Sequence, residues 1–351
     1  MVMVKVLIAE DSPTVLGLLE EILTADPDIR VIGRARNGKE AVRLTQELRP
    51  DIVTMDINMP LMDGFQATKE IMTRCPTPVV IISSSISKDD LEQSMAALQA
   101  GALSVLPTPR LLQGAATGEE ARRLQKTVKA MSAVKVVRHR EARPSPRAMQ
   151  HRSRISGSRG CEIVAIAAST GGPQALCKIL SSLPADFPAP VLVVQHITKG
   201  FSHGLASWLN HESLLTVTVA SHDAPLQGGW VYIAPDDHHL GVCHRRRIKL
   251  DDGPPIRQHR PAASYLFQKA AEVFADKALA VVLTGMGDDG TEGLRTLKAL
   301  GGYVIAQDEA TSVVFGMPGV AIKAGLADEV LPLGEIASRM KENSKKERQR
   351  P

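Results

Sequence analysis

The sequence predicts an α/β fold built from two doubly wound parallel-sheet domains. Short apolar segments of strand length alternate with amphipathic helical segments in both halves of the 351-residue chain. This alternation is typical of parallel sheets covered by helices on both faces. A polar segment rich in Arg, Ser and Pro separates the two halves, so each half is expected to fold around its own core.

The first half begins with a predicted strand at residues 5–9, followed by Ser12-Pro13, a favourable N-cap and first-turn pair. Apolar residues then recur at helical spacing up to Leu23, and Asp26-Pro27 ends the predicted helix. Further strands are predicted at residues 29–35, 51–55, 78–83 and 102–106, and a last helix at residues 119–134.

In the second half, a predicted strand at residues 163–168 leads into the turn STGGP. More strands are predicted at residues 191–194, 279–284 and 303–306, and a helix at residues 262–275. The short apolar segments 231–233 and 240–242 predict a small antiparallel insert in this domain.

These patterns divide the chain into a domain at residues 1–134, a flexible basic linker at 135–160, a second domain at 161–338 and a basic tail at 339–351. The formal net charge is +4, but residues 135–159 carry +7 and the tail carries +4, which leaves −7 for the rest. The basic charge therefore lies outside the predicted folded parts and accompanies no nucleic-acid-binding motif. No nucleic-acid partner is expected.

The cysteines and the N-terminal segment indicate a cytoplasmic protein. The four cysteines are scattered and form no C-x-x-C pair, which favours reduced thiols over a disulfide framework or a zinc site. The apolar segment at residues 2–9 is interrupted by Lys5, is too short to span a bilayer and has no signal-peptide cleavage pattern. We therefore expect no membrane insertion.

Three acidic residues follow predicted strands of the first domain: Glu10 and Asp11 after the first strand, and Asp56 after the third. The carboxyl ends of strands in an open parallel sheet converge on one crevice, where three carboxylates would repel one another. A hard cation such as Mg²⁺ relieves that repulsion, so the sequence predicts a magnesium site. Ser83 ends the next strand and is expected beside it. The alternative is that these acids are solvated loop residues.

The segments EDSP at residues 10–13, DIVTMDINMPLMDG at 51–64 and VVIISS at 79–84 closely resemble the receiver domains of two-component signalling. The resemblance implies a flavodoxin-like fold, phosphorylation of Asp56 by a sensor histidine kinase, and Ser83 as the switch hydroxyl. Magnesium would be held by Glu10, Asp11, Asp56 and the backbone carbonyl of Asn58. One departure is Thr108 before Pro109, where receivers usually carry a lysine. A neutral hydroxyl replaces an ammonium there, which puts the coupling of phosphorylation to the second domain in doubt.

In the second domain, Ser169 lies between a predicted strand and a predicted helix in the sequence AASTG. Such a strand–turn–helix junction is close to a nucleophile elbow, which projects a serine hydroxyl beside free helix N-terminal amides. A serine N-cap explains the same residue equally well.

A serine nucleophile needs a base and an acid. Of the ten histidines, His196 follows the strand next along the chain, so parallel pairing would bring it to the same sheet edge as Ser169. Asp288 or Asp289, after the strand at residues 279–284, would reach that edge too. His238 and His239 are adjacent and face opposite ways in an extended chain, which makes a poor metal pair.

The loop GMGDDG at residues 285–290 also fits the dinucleotide fingerprint G-x-G-x-x-G, with Asp308 after the next strand as the ribose ligand. The two aspartates in the loop argue against it, because they would oppose the negative charge of a pyrophosphate at the helix N-terminus.

Together, ASTGGP, QHI and LTGMGDDG resemble the catalytic domain of the chemotaxis protein-glutamate methylesterases, from about residue 161 to 333. The resemblance implies a serine esterase that needs no cofactor and acts on methyl-accepting chemoreceptors. Its nucleophile, base and acid would be Ser169, His196 and Asp289, with Thr170 and Met286 as neighbours in the active site. The sequence Ala262-Ala263-Ser264 departs from the family's S-V-D and loses an acid and a hydroxyl.

Family resemblance and the flexible linker further predict that the unphosphorylated receiver docks over the esterase cleft. Two alternatives remain beside the chemotaxis esterase. One is a sister esterase that serves another sensory array, and the other is a degenerate module that only binds receptors.

Overall fold

The computed structural model describes residues 3–83, 96–98, 100–109, 111–112, 115–116, 118–134 and 160–344. Two parallel sheets with flanking helices form its framework, which confirms the predicted fold class. The predicted linker falls almost wholly outside the described residues. Among the described residues, no helix is long and apolar enough to cross a bilayer.

The first domain contains a parallel sheet with the strand order β2-β1-β3-β4-β5. Its first helix begins after Ser12, whose side chain accepts a hydrogen bond from Val15 N at 3.5 Å, as the N-cap prediction required. The strands are β1 (Val4–Ala9), β2 (Ile29–Ala35), β3 (Ile52–Met55), β4 (Val79–Ser83) and β5 (Ser104–Pro107), followed by the two-residue strands β6 (Leu111–Leu112) and β7 (Ala115–Ala116). The helices are α1 (Pro13–Thr24), α2 (Gly38–Leu48), α3 (Gly64–Arg74) and α4 (Gly118–Ser132).

The second domain has a larger parallel sheet with the order β10-β11-β9-β8-β14-β15-β16. Its strands are β8 (Ile163–Ala168), β9 (Val191–Gln195), β10 (Thr216–Val219), β11 (Trp230–Ile233), β14 (Ala278–Val282), β15 (Tyr303–Gln307) and β16 (Glu329–Leu331). Its helices are α5 (Gly172–Leu180), α6 (Ser202–Glu212), α7 (Ala263–Phe274), α8 (Thr291–Ala299), α9 (Met317–Lys323) and α10 (Leu333–Asn343). The strands before Ser169, His196 and Asp289 are adjacent in this sheet.

Strand β8 shows why the central segments are apolar without alternation. All its residues are fully buried, and successive side chains enter opposite layers of the core. Val164, Ile166 and Ala168 belong to one apolar cluster, whereas Ile163, Ala165 and Ala167 belong to the other. The sheet is therefore rigidly packed on both sides directly beneath the carboxyl ends of its strands.

One prediction of strand pairing was wrong. The segment 231–233 belongs to β11, which pairs in parallel with β9 and β10 in the main sheet. The antiparallel insert is instead a hairpin of β12 (His239–Cys243) and β13 (Arg247–Asp251). The edge strands β10 and β16 were not predicted, because their short sequences carry little apolar signal.

The end of the second domain lies further along the chain than the predicted start of the basic tail. Helix α10 continues to Asn343, Met340 is fully buried, and Arg339 pairs with Glu329. Residues 339–344 are therefore packed structure. The remainder of the predicted tail lies outside the described residues.

Candidate active site

Ser169 occupies a sharp turn between β8 and α5. Its backbone N donates to Thr284 O at 3.1 Å, and its carbonyl accepts from Gly172 N at 2.9 Å. The helix N-cap is Gly171, with φ 74° and no side-chain cap, so the alternative in which Ser169 caps the helix is wrong. The Ser169 hydroxyl is left available at the end of the strand.

The loop after β14 approaches this turn very closely at Gly285. A Cβ on Gly285 would lie 2.7 Å from Ser169 Cβ and 3.0 Å from Ser169 N, so only glycine fits there. Beside it, Thr284 Oγ1 donates to Thr170 O at 2.9 Å. These contacts hold the serine turn against the loop that carries Asp289.

His196 follows β9 and contacts Asp289, with Nε2 and Oδ2 separated by 2.9 Å. A proton on Nε2, donated to the carboxylate, leaves the lone pair on Nδ1. That nitrogen is buried and has no hydrogen-bond partner among the described residues. Since His196 and Ser169 line the same cleft, Nδ1 is the ring nitrogen available as a base.

Asp289 is held by the start of helix α7 as well as by the histidine. Ala263 N donates to Oδ2 at 2.6 Å, and Ser264 N donates to Oδ1 at 3.1 Å. Burial alone would raise the pKa of Asp289, but the hydrogen bond and charge of His196 and the two amides outweigh it and lower the pKa to about 2. The buried carboxylate is therefore ionised at neutral pH.

The adjacent Asp288 has a different environment. Its side chain is exposed and forms an ion pair with Arg257, and its carbonyl accepts from Thr291 Oγ1. The sequence left open whether Asp288 or Asp289 is the partner of His196. In the described part of the chain, Asp289 contacts His196 and Asp288 does not.

The same loop is a poor phosphate cradle. Gly290 N, at the start of α8, donates to Ser264 Oγ at 2.9 Å. The proposed ribose ligand, Asp308, accepts from Thr311 N and Thr311 Oγ1 within its own turn. Both groups are occupied by protein partners, so the geometry disfavours the dinucleotide alternative.

The departure at residues 262–264 leaves the support of Asp289 intact. Backbone amides of Ala263 and Ser264 hold the carboxylate, and backbone donors do not depend on the side chain present. Ser264 also fixes the neighbouring loop through its bond from Gly290 N, while Ala262 N donates to His239 Nδ1 at 3.2 Å.

Gln195 was missed by the sequence reasoning. It is buried at the end of β9, and its Nε2 donates to both Ser169 O at 2.7 Å and His196 O at 2.9 Å. A Cβ on Gly172 would lie 2.0 Å from Gln195 Oε1, so this glycine makes room for the amide. The available signal was a glutamine directly after the apolar run VLVV.

His259 was also missed. Its ring stacks on His196 with a centroid separation of 4.2 Å and an interplanar angle of 5°. No sequence rule singled it out, because it lies in a turn between the insert and α7 rather than at the end of a strand.

These residues open into a cleft of about 470 Å³ between the two domains. Residues on its second-domain side include Ser169, Thr170, His196, Met286 and His259, and those on its first-domain side include Leu103, Leu106, Arg123 and Thr127. Gln174 Nε2 donates to Leu98 O at 2.7 Å and Ala102 O at 2.9 Å, and Thr198 Oγ1 donates to Val105 O at 2.9 Å. The first domain therefore lies directly over the serine and histidine.

A separate acidic cluster occupies the carboxyl edge of the first sheet. Oxygen atoms of Glu10, Asp11 and Asp56 lie within 4.8 Å of one another. Burial, followed by the charges of Asp56 and Asp11, raises the pKa of Glu10 to about 7. Asn58 N donates to Asp56 Oδ2 at 3.1 Å.

The predicted switch residue Ser83 and Thr108, which replaces the usual lysine, lie at the same edge of the first sheet. Ser83 ends β4, where it pairs with Pro107, but its side chain is outside the described set. The half-buried Thr108 follows β5 directly.

The fold and these sites define a class of protein. A serine, a histidine and an aspartate lie at one edge of a doubly wound domain, which is the residue set that serine hydrolases use. A carboxylate cluster of the receiver type lies in a second domain that covers them.

Comparisons with known proteins agree with this class. A family model described as CheB methylesterase matches residues 164–340, and one described as response regulator receiver domain matches residues 6–111. A Myxococcus xanthus protein named protein-glutamate methylesterase/protein-glutamine glutaminase 4 is 51% identical over 339 residues, which covers 96% of both chains. A similarly named Anaeromyxobacter dehalogenans protein is 47% identical over 343 residues, covering 96% of this chain and 98% of its own.

Among solved structures, the Thermotoga maritima CheB methylesterase catalytic domain is similar, with a TM-score of 0.51 and 46% identity. The match covers 52% of this chain and 98% of that one. The chain belongs to the CheB methylesterase family and carries a response regulator receiver domain.

Proposed function

We propose that this protein is a phosphorylation-regulated serine esterase of the cytoplasm. It hydrolyses glutamate γ-methyl esters, and deamidates glutamines, on methyl-accepting chemoreceptors, and so serves sensory adaptation. One observation carries the proposal: His196 contacts a buried, ionised Asp289 through Nε2, while its unpartnered Nδ1 shares a cleft with Ser169. The names of the full-length relatives supply the substrate class.

The chemistry is acyl transfer. Ser169 Oγ attacks the γ-carbonyl carbon of the ester while its proton passes to His196 Nδ1. Asp289 stabilises the resulting imidazolium through Nε2. The carbon–oxygen bond to the methoxy group then breaks, and methanol leaves with the proton from His196. Water, deprotonated by His196, hydrolyses the glutamyl-serine ester and frees Ser169. A glutamine substrate releases ammonia by the same steps.

The oxyanion of the tetrahedral intermediate needs donors beside Ser169. Within the described part of the chain, neither Thr170 N nor Met286 N donates a hydrogen bond, and both residues line the cleft. Thr170 follows the nucleophile directly, and Met286 follows Gly285, which packs against it. Their backbone amides are therefore suited to bind the oxyanion.

The receiver site fits a divalent cation. Three carboxylates converge there, and the raised pKa of Glu10 reflects the energetic cost of bringing them together. Glu10, Asp11, Asp56 and the carbonyl of Asn58 would hold Mg²⁺, which neutralises charge during phosphoryl transfer. Asp56 accepts the phosphoryl group from a sensor histidine kinase, and Ser83 is the switch residue that the receiver resemblance implies. The esterase chemistry uses side chains and backbone amides only and calls for no cofactor.

The position of the receiver supports regulation by docking. Its contacts through Gln174 and Thr198 hold it over a cleft that a helical receptor segment must enter. Phosphorylation of Asp56 would weaken this docking and open the cleft. Cytoplasmic location is supported by cysteines that are all free thiols, as the reducing cytosol favours.

The test is methanol release from methylated receptors by the full-length protein and its Ser169→Ala variant. Removing the nucleophile should lower kcat by a factor on the order of 10⁴. Ser182→Ala, on an exposed serine outside the cleft, is the matched control and should retain wild-type activity. Near-normal methanol release by Ser169→Ala would exclude Ser169 as the nucleophile.

A further inference from the structure

The residue that covers the open face of His196 has no assigned part in the chemistry. The rings of His259 and His196 are nearly parallel, 5° apart in plane and 4.2 Å apart at their centroids. Among the described residues, the ring nitrogens of His259 bond to no protein group. The stack on His196 is therefore the main specific contact of this ring.

His259 is held in place by a small hairpin. Its backbone exchanges hydrogen bonds with Ile256 at 2.9 and 3.0 Å, across a turn formed by Arg257 and Gln258. Both turn residues have positive φ, 47° and 72°, a conformation that is costly for residues other than glycine. The surrounding contacts must therefore stabilise this turn.

Contacts on both sides of the turn fix the hairpin. Arg257 pairs with Asp288, the neighbour of Asp289, and reaches Glu292 at 3.6 Å. Arg260 Nη1 donates to Asp252 O at 2.9 Å and to Gly253 O at 3.1 Å. The hairpin is thus tied to the loop that carries Asp289, so the stacking ring and the carboxylate are positioned together.

The stack requires His259 to be neutral whenever His196 is protonated, because two cations at this separation repel strongly. Burial lowers the pKa of His259, and the charge of His196 lowers it further. Arg123, which reaches the pair from α4, acts in the same direction, whereas Asp289 and Asp288 oppose it. The other charged residues around the cleft are Lys199, Asp236, Asp237 and Arg260.

The edge of His196 meets the carboxylate of Asp289 directly, with Nε2 and Oδ2 separated by 2.9 Å. That carboxylate would stabilise a proton taken from Ser169 on His196, while the ring of His259 lies against one face of His196.

We propose that His259 is a positioning residue for His196: its neutral ring fixes the plane in which Nε2 meets Asp289 and Nδ1 is left without a protein partner, and it keeps water off the base. This role rests on the proposed esterase function. It acts through His196, so it should change kcat and the pH dependence and leave substrate affinity nearly unchanged.

Two substitutions in the full-length protein test whether the ring of His259 is needed and whether an aromatic ring without nitrogen atoms can replace it. His259→Ala uncovers the ring of His196, and its kcat should fall on the order of tenfold while KM stays within about twofold. Water on the exposed face stabilises the charged imidazole, so the acid limb of the kcat/KM profile should move to higher pH. His259→Phe restores a stacked ring, and its kcat and acid limb should be close to those of the wild type. His211→Ala, on an exposed histidine of α6, is the control.

A second measurement does not depend on turnover. NMR titration of the His196 ring in the Ser169→Ala background should show its midpoint moving to higher pH in His259→Ala and returning in His259→Phe. Loss of kcat in both variants with the wild-type pH profile and titration would make His259 a structural residue only and overturn the proposal. So would wild-type behaviour of His259→Ala. If the wild-type protein released no methanol, the esterase function would fail, while the titration would still decide the stack.

Discussion

Two buried carboxyl groups, one in each domain, have pKa values that are shifted in opposite directions. Asp289 accepts two backbone hydrogen bonds and contacts His196, and these partners lower its pKa to about 2. Glu10 accepts one backbone hydrogen bond, from Ser12 N at 3.1 Å, beside two further carboxylates, and its pKa rises to about 7. Groups of the chain itself compensate the charge of Asp289, whereas Glu10 lies beside two further carboxylates that raise its pKa.

The largest expected effect on catalysis comes from neutralising Asp289. Asp289→Asn removes the charge that stabilises the His196 imidazolium. It also places a side-chain amide, which carries N–H donors of its own, against the backbone N–H donors at the start of α7. Its kcat for methanol release should fall by roughly 10⁴, as neutralisation of a triad acid does elsewhere. Asp288→Asn, which removes the exposed ion pair with Arg257 that helps to hold the His259 hairpin, is the matched control and should lower kcat by no more than about tenfold. Equal losses in both variants would contradict the assignment of Asp289.

The contribution of Glu10 to stability should depend on pH in the opposite sense to that of Asp289. The pKa of Glu10 is raised above its ordinary value of 4.5 to about 7, so its contribution to stability is present below pH 4.5 and is lost as pH rises through 7. Glu10→Gln should therefore stabilise the magnesium-free protein at pH 8 by on the order of 2 kcal/mol and have little effect at pH 4. Urea unfolding at the two pH values measures this. Equal changes in the free energy of unfolding at both would contradict the proposed repulsion among the carboxylates.

The lowered pKa of Asp289 predicts a loss of stability at lower pH. Its contribution to stability is present above the ordinary aspartate pKa of 3.8 and is lost as pH falls through about 2. Relative to Asp289→Asn, the wild-type protein should lose about 2 kcal/mol of unfolding free energy between pH 5 and pH 2. Denaturant unfolding of both proteins across that range checks the sign. A constant difference would mean that the carboxylate is not held as described.

The smallest expected effect concerns the departure at residues 262–264. Ser264→Ala removes the acceptor for Gly290 N but leaves the backbone donors to Asp289. The unfolding free energy should fall by about 1 kcal/mol, and kcat by no more than about threefold. Ser182→Ala again serves as control, and a loss of kcat as large as that of Asp289→Asn would show that the hydroxyl does more than hold the loop.

The two sites also differ in how far the sequence predicted them. Strands such as β8 and β9 were evident because both faces of the sheet are buried and leave continuous apolar runs. Since parallel strands end at one edge of a sheet, the sequence predicted Ser169, His196 and the loop at 285–290 at a shared edge. The pairing partners of the strands could not be predicted from the sequence. The apolar segment 231–233 would suit a hairpin or the main sheet equally well, and its pairing with β9, in which Val231 aligns with Val191, places it in the main sheet.

Other features depended on contacts between segments distant in sequence. Asp288 and Asp289 are adjacent and chemically identical, and contacts with distant segments distinguish them: His196 and the start of α7 for Asp289, and Arg257 for Asp288. Gln195 and His259 were overlooked for the same reason, since each acts through a partner that no local pattern names. The roles of the site residues and the domain boundaries stay predictions until they are measured.

The central claim is that Ser169 is activated by His196, which Asp289 holds. The most direct measurement is labelling of the full-length protein with a serine-directed fluorophosphonate, with the adduct located by mass spectrometry. We expect a single adduct on Ser169, formed far more slowly in Asp289→Asn than in Asp288→Asn. An adduct on another serine, or equal labelling rates in the two variants, would contradict the account.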